Sequence, residues 1–277
     1  MSTILELREA PHWSYSALNT YLNMCSLKYA FQYVYQAEHE RTPASLPFGK
    51  AFHIAATAHA KNVMQSKRMT LPELHEVFAE WFKVECSASV NLVFKNGESI
   101  NSLIEQALFM LDALLNRWID WDDNILSVAH AFKVHVPGLE KPLIGEFDMV
   151  IKEGDGRTIV DWKTSASRWS ADKADKDFQA TAFSYAYLME DDHDTIPAFR
   201  FDVVTKTKIP CLENHYTQRT KNDIQRFVMI ATAVERAVKQ EVFLPAETSF
   251  SCGDCQFASA CKEWHRNSAA RHVCMAA

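Results

Sequence analysis

Several absences narrow the chain before any motif does. No stretch approaches the roughly 18 uncharged apolar residues that a membrane-spanning helix needs, so no membrane partner is expected. Glycine (7) and proline (9) are scarce among the 277 residues, which excludes collagen-like and low-complexity readings. Neither a Gly/Ser-rich linker nor an internal repeat marks a boundary, so residues 1–277 read as one domain. The opening segment, MSTILELREAPHWS, carries two glutamates and no apolar core. It does not read as a signal peptide, and a cytoplasmic location is the expectation. An excess of positive charge is also lacking: 29 Lys and Arg against 35 Asp and Glu give a net charge of −6. That excludes a general nucleic-acid coat protein, but not an enzyme with a local basic groove.

What is present divides by hydrophobic period. Residues 1–121 read as helices. Ser14 or Ser16 caps one through ALNTYLNMCSLKYAFQYVY, with Leu18, Leu22, Cys25 and Tyr29 on its apolar stripe. Pro47 and Gly49 open a second through AFHIAATAHAKNVM, and further helices fit LPELHEVFAEWF and the stretch from Ser99 to Trp121. From Leu126 the period becomes two, with Val128, Phe132, Val134 and Val136 alternating. Strands follow in LIGEFDMVIK and, after the turn signal Gly154-Asp155-Gly156, in TIVDWKT. A helix over Asp175–Met189, a strand FRFDVVTK and a last long helix over Lys221–Gln240 complete residues 122–240. The order helix, three strands, helix, strand predicts an α/β core with added N-terminal helices, ahead of a cysteine-rich segment, 241–277.

Within that core, Asp148 lies near the middle of one strand and Asp161 at the end of the next. The turn between them lets both carboxylates reach one point. Asp161 and Lys163 are two apart on a strand and share a face. Oxygen ligands gathered this way suit Mg²⁺ or Mn²⁺, which keep waters and accept phosphate oxygens. A lysine beside them stabilises charge developing on a phosphorane. On their own, such pairs are usually solvated surface charges.

Cysteine supplies a second pattern. Of seven cysteines, Cys252, Cys255 and Cys261 crowd together near the C-terminus, and Cys25 can supply a fourth ligand from the first helix. In an intracellular chain such crowding favours metal over disulfides. Four thiolates hold structural Zn²⁺ or a [4Fe–4S] cluster, and spacing does not choose between them. Cys86, Cys211 and Cys274 are expected to be unliganded, with Cys274 as the reserve for Cys25.

These residues resemble the PD-(D/E)XK nuclease superfamily and, within it, the RecB-like branch. The likeness is carried by Ser14, Ser16, Cys25, Lys28, Tyr29, Phe31 and Tyr33 in SYSALNTYLNMCSLKYAFQYV, by Gly49 and His53 in FGKAFH, and by Gly145 and Asp148 in GEFDMV. It continues through Asp161, Lys163 and Thr164 in IVDWKTS and Gln179 in FQATAFSYAYL. The resemblance implies a restriction-endonuclease-like fold, with His53, Asp148, Asp161 and the Trp162 carbonyl as ligands of Mn²⁺ or Mg²⁺. Lys163 would be the catalytic lysine, with Gln179 contacting DNA or supporting the centre. Two departures stand out. Phe183 replaces the usual tyrosine four residues after the glutamine, with Tyr185 or Tyr187 as stand-ins, and Ser26 replaces the proline that often follows the first cysteine.

The resemblance also favours iron–sulfur over zinc. CRISPR-adaptation nucleases and the nuclease domains of AddB-type helicases pair one N-terminal cysteine with a C-terminal C-x2-C-x5-C, as Cys25, Cys252, Cys255 and Cys261 do. A cluster there would close most of the chain into one loop, a structural clip rather than an electron carrier. Arg168, Trp169, Lys173 and Tyr185 are the expected DNA contacts, with Lys176, Lys206, Lys208, Arg219 and Lys221 completing a basic lining and Trp169 stacking on an unpaired base. The implied activity is a metal-dependent DNA exonuclease, bacterial or phage-encoded, acting at single-stranded ends. It would serve repair, recombination, phage DNA processing or CRISPR adaptation, beside a recombinase, helicase or integrase. A catalytically silent DNA-binding or assembly module and an iron–sulfur redox sensor are the competing readings.

Overall fold

Val, Ile and Phe alternating through the middle of the chain make strands with two apolar faces, and helices cover both. The computed structural model describes residues 3–117, 124–190, 194–249 and 252–275. The expected helix end at Trp121 lies outside these. The N-terminal part runs α1 (Ile4–Arg8), β1 (Trp13–Ser14), α2 (Tyr15–Asn19), α3 (Ser26–Tyr29), β2 (Thr42–Pro43), α4 (Ser45–Met64), α5 (Leu71–Ser87), β3 (Leu92–Val93) and α6 (Ile100–Arg117). The core follows as β4 (Ile125–Val134), β5 (Leu143–Glu153), β6 (Gly156–Ser165), α7 (Lys173–Lys176), α8 (Phe178–Glu190), β7 (Ala198–Thr205), β8 (Leu212–Gln218) and α9 (Lys221–Lys239). The last helix is α10 (Ala258–Met275). The expected α/β core is present.

β4, β5 and β6 form an antiparallel meander, β7 joins β6 in parallel, and β8 closes the edge antiparallel to β7. The register of β5 with β6 runs from Glu153↔Gly156 to Met149↔Val160 and stops there. Beyond that point β5 takes a different neighbour, the short β1, which pairs with it in parallel through Trp13↔Leu143 and Ser14↔Ile144. The N-terminus thus fills the place beside β5 that β6 leaves. Gly145 sits where β4 crosses, and a Cβ there would come within 2.4 Å of the Phe132 ring, so the position has no room for a side chain.

α4, α5 and α6 bury Phe48, Phe52, Phe78 and Phe82 against Met149, Val160, Trp162 and Val204 on one face. On the other face, α8, α9 and the N-terminal segment pack with Phe147, Ile159, Phe199 and Phe201. The capping boxes Thr70–Glu73 and Thr220–Asp223 start α5 and α9.

Two helices differ from expectation. The single helix expected after Ser14 is broken at Cys25, whose backbone is extended (φ −170, ψ 121) and whose Sγ accepts the Lys28 N–H at 3.4 Å to start α3. Wide π turns over Thr20–Met24 and Ala30–Val34 shift the phase, so Leu22 is exposed while Leu18 and Tyr29 are buried. The helix expected over Asp175–Met189 is likewise split at Asp177, which is extended between α7 and α8. The C-terminal segment lies on this broken N-terminal region. Leu244 N–H donates to Ser26 Oγ at 2.8 Å, Leu27 N–H to the Leu244 carbonyl at 3.2 Å, and Phe257 is buried against Phe31. Among the described residues, no helix is long and apolar enough to cross a membrane.

Candidate active site

The end of the β5–β6 ladder decides the geometry. Asp148 and Asp161 are the residues just past its last pair, where the two strands part. A strand that loses its neighbour leaves backbone groups without ladder partners. Here the Asp148 carboxylate fills that need, its Oδ2 accepting the Trp162 N–H at 2.8 Å. The same oxygen lies 3.3 Å from His53 Nδ1, presented by α4. Gly49, one turn earlier on α4, faces Thr164, its nearest neighbour, with 3.9 Å from a built Cβ to Oγ1. Asp161 pairs with Lys163 on the same strand face, and Gln179 Nε2 on α8 donates to Asp161 Oδ1. His53 and Asp148, and Asp161, Lys163 and Gln179, scattered over the sequence, thus form two contacting sets joined through the Trp162 N–H.

Burial and charge compete across this group. Burial pushes Asp161 up, the Asp148 charge adds to it, and the Lys163 ammonium does not fully offset them, so the carboxyl is raised to about 6. Asp148 is also penalised by burial, but His53, Lys163 and the Trp162 N–H hold it below the ordinary carboxylate range. For His53 and Lys163 burial favours the neutral form; the two aspartates outweigh it and raise both. A buried carboxylate raised in pKa beside a partly buried one is a place where a cation is favoured.

The donor set fits a hard divalent ion: carboxylate oxygens of Asp148 and Asp161, a His53 ring nitrogen and the Trp162 carbonyl. Asp161 Oδ2 is buried and, although paired with Lys163, receives no aligned hydrogen bond. Among the described residues, no three His, Cys, Asp or Glu side chains already stand as one coordination shell; His53 and Lys163 hold the carboxylates instead.

Other expected residues are placed as follows. Arg168 is exposed and ion-paired with Glu213 at 3.3 Å. Trp169 packs against Phe201 and His215, with Lys173 Nζ 4.1 Å from its ring centroid. Tyr185 corrects the expectation of a DNA contact. It is 3% exposed in the core, and its hydroxyl donates to the His135 carbonyl at 2.7 Å. Arg219 is also turned inward, donating to the Ala174 and Asp177 carbonyls at 3.0 and 2.8 Å. Tyr187 hydroxyl accepts from Arg157 at 2.6 Å, so neither tyrosine of α8 stands in for Phe183. The hydroxyl beside the centre belongs to Tyr15, which donates to Asp177 Oδ1 at 3.1 Å. Sequence reasoning missed both residues. The position of Asp177 just before the glutamine helix was an available signal, as an aspartate there commonly caps a helix.

Cys25, Cys252, Cys255 and Cys261 line one cavity of about 370 Å³ with Lys28, Arg41, Lys262 and His265. None of the four is in a disulfide. Burial raises the Cys261 thiol, and the neighbouring Cys25, Cys255 and Cys252 raise it further. Cys86 is buried in α5, Cys211 lies beside Thr205, and the Cys274 side chain is outside the described residues.

A sheet whose parted strands gather carboxylates, a histidine and a lysine between two helices defines the restriction-endonuclease-like class of nuclease folds. The model of the PD-(D/E)XK nuclease superfamily matches residues 12–262, and the chain belongs to that superfamily. Among solved structures, a "putative exonuclease" from Eubacterium rectale is similar over 88% of this chain and 87% of its own, with a TM-score of 0.53 and 12% identity. A structure titled SSO0001 aligns over 88% of this chain and 93% of its own, with a TM-score of 0.37 and 11% identity. No curated protein sequence matches the chain.

Proposed function

We propose that the chain is a metal-dependent deoxyribonuclease that degrades DNA from its ends, single-stranded ends foremost. The observation that carries this reading is that His53 meets Asp148, and Lys163 and Gln179 meet Asp161, with the Trp162 N–H bonded to Asp148 tying the two carboxylates together where β5 and β6 part. His53, Asp148, Asp161 and the Trp162 carbonyl would hold Mn²⁺ or Mg²⁺, which supplies a water of lowered pKa and a clamp on the scissile phosphate. Lys163, held cationic by its aspartates, orients the attacking water and stabilises charge developing on the phosphate. Gln179 fixes the Asp161 carboxylate from the α8 side. Arg168, on the loop after β6, and Lys173, at the start of α7, are exposed and meet the DNA backbone, and their contribution weakens with salt.

The test is degradation of end-labelled single- and double-stranded DNA with Mn²⁺, Mg²⁺ or EDTA. Wild type is expected to cleave with metal only, and Lys163→Ala and Asp161→Ala to lose at least about a hundredfold in rate. Equal products from wild type and both variants would remove the enzyme reading and leave a silent DNA-binding module. Circular substrates separate exonuclease from endonuclease action. Repair, recombination, phage DNA processing and CRISPR adaptation, with a recombinase, helicase or integrase, are the settings such an activity serves.

Cys25, Cys252, Cys255 and Cys261 support a second element of the reading, a [4Fe–4S] cluster acting as a structural clip. Four soft donors share one cavity with Lys28, Arg41 and Lys262, whose charges offset a thiolate-rich cluster. Protein purified without oxygen is expected to be brown, and Cys255→Ala to remove both colour and part of the stability. Colourless protein with stoichiometric zinc sinks the iron–sulfur assignment in favour of structural Zn²⁺. Colour that responds to redox state while cleavage stays absent would favour a sensor.

A further inference from the structure

Tyr15 is the first residue of α2 and directly follows β1, so the strand that seats against β5 also delivers its ring to the site. The ring stands edge-on to Phe183 of α8, centroids 6.4 Å apart at 81°. Its hydroxyl donates to Asp177 Oδ1 at 3.1 Å, and the same oxygen accepts the Gln179 N–H at 2.9 Å. Gln179 in turn donates through Nε2 to Asp161 Oδ1. A line of hydrogen bonds, carried across Gln179 by its own covalent frame, therefore runs from Tyr15 to Asp161. Its middle member is braced, because Arg219, 7% exposed, holds the Asp177 carbonyl at 2.8 Å. Burial and the charges of Asp177 and Asp161 keep the phenol protonated far above its ordinary range, so it stays a donor.

We propose that Tyr15 is a positioning residue for the candidate metal centre, acting through Asp177 and Gln179 to fix the orientation of the Asp161 carboxylate. The inference rests on the nuclease reading of that centre. Groups that orient ligands from behind cost roughly ten- to a hundredfold in metal affinity or activity when removed. Tyr15→Phe removes the hydroxyl and keeps the ring that packs on Phe183. Tyr185→Phe is the matched control, since it removes a buried hydroxyl bonded to the His135 carbonyl and not to this line.

The experiment measures Mn²⁺ binding by paramagnetic resonance of the free ion, together with kcat and KM on end-labelled DNA, for wild type and both variants. Thermal melts are recorded alongside. Tyr15→Phe is expected to weaken Mn²⁺ binding about tenfold or more and to lower kcat with KM unchanged, while melting like Tyr185→Phe. Tyr185→Phe is expected to bind Mn²⁺ as wild type does. Wild-type Mn²⁺ affinity and kcat in Tyr15→Phe, or equal weakening in both variants, would overturn the proposal. Wild-type protein that neither binds Mn²⁺ nor cleaves DNA would overturn the nuclease reading itself.

Discussion

Asp148 serves two purposes at one oxygen, accepting the Trp162 N–H and facing His53. An alanine there removes a charge and also leaves a strand N–H unpaired, a loss of about 1–3 kcal/mol where the group is buried. Asp148→Asn keeps an acceptor and removes only the charge. Both variants are expected to lose DNA cleavage, but only Asp148→Ala to show a markedly lower melting temperature; equal melting would show that the Trp162 N–H does not depend on this side chain. His59, two turns along α4 from the site, is 4% exposed. Burial, with help from Arg68, lowers it to about 4 from an ordinary 6.5. The unfolded chain then binds the proton first, so stability is whole above pH 6.5 and falls as pH drops towards 4, by as much as ~3 kcal/mol. Melts of wild type and His59→Leu between pH 7 and 4 check this; parallel curves would exclude His59 as the cause.

Elements differ in how openly the sequence declares them. α5, α9 and β4–β7 were legible because hydrophobic period, capping boxes and the Gly154–Gly156 turn all agree locally. β8 was not. LENHYTQ lies on a sheet edge, half exposed, so it carries no apolar run and its place follows from pairing with β7. The strand FRFDVVT read as apolar, yet it buries Arg200 with Asp202 at 2.8 Å, a pairing that only the folded neighbours Glu153, Tyr216 and Asn214 explain. At the site, Asp148, Asp161 and Lys163 were readable from their strand positions, and His53 and Gln179 only through the family resemblance. Tyr15 was not, since its meeting with Asp177 depends on β1 seating beside a distant strand. The break at Cys25 belongs here too, because its Sγ caps α3. Serine caps as well as cysteine or better, but is a poor ligand for iron or zinc. Cys25→Ser is therefore expected to keep the helix and lose bound metal, while Cys25→Ala loses metal and about 1 kcal/mol of helix capping. Metal analysis with melts of the metal-free proteins distinguishes the two, and metal retained by Cys25→Ser would exclude Cys25 as a ligand.

Across the whole molecule, both ends of the chain converge on one region. Leu244 bonds to Ser26 and Leu27, and Glu40 N–H donates to the Gln256 carbonyl at 3.0 Å. Trp13 is buried and donates to Glu235 at 2.6 Å. A chain lacking residues 1–14 keeps His53, Asp148, Asp161, Lys163 and Gln179, yet loses the strand that stands beside β5. It is expected to lose DNA cleavage and melt at lower temperature, and undiminished cleavage would show that β1 is dispensable. The seating of β1 next to β5 also bears on when activity can begin. Its partner residues emerge from the ribosome some 130 positions later, and the line from Tyr15 to Asp161 closes only after α8 has followed. Pairings so distant in sequence form late in folding. The candidate site therefore cannot be complete in a nascent chain until synthesis has passed through α8, at Phe178–Glu190.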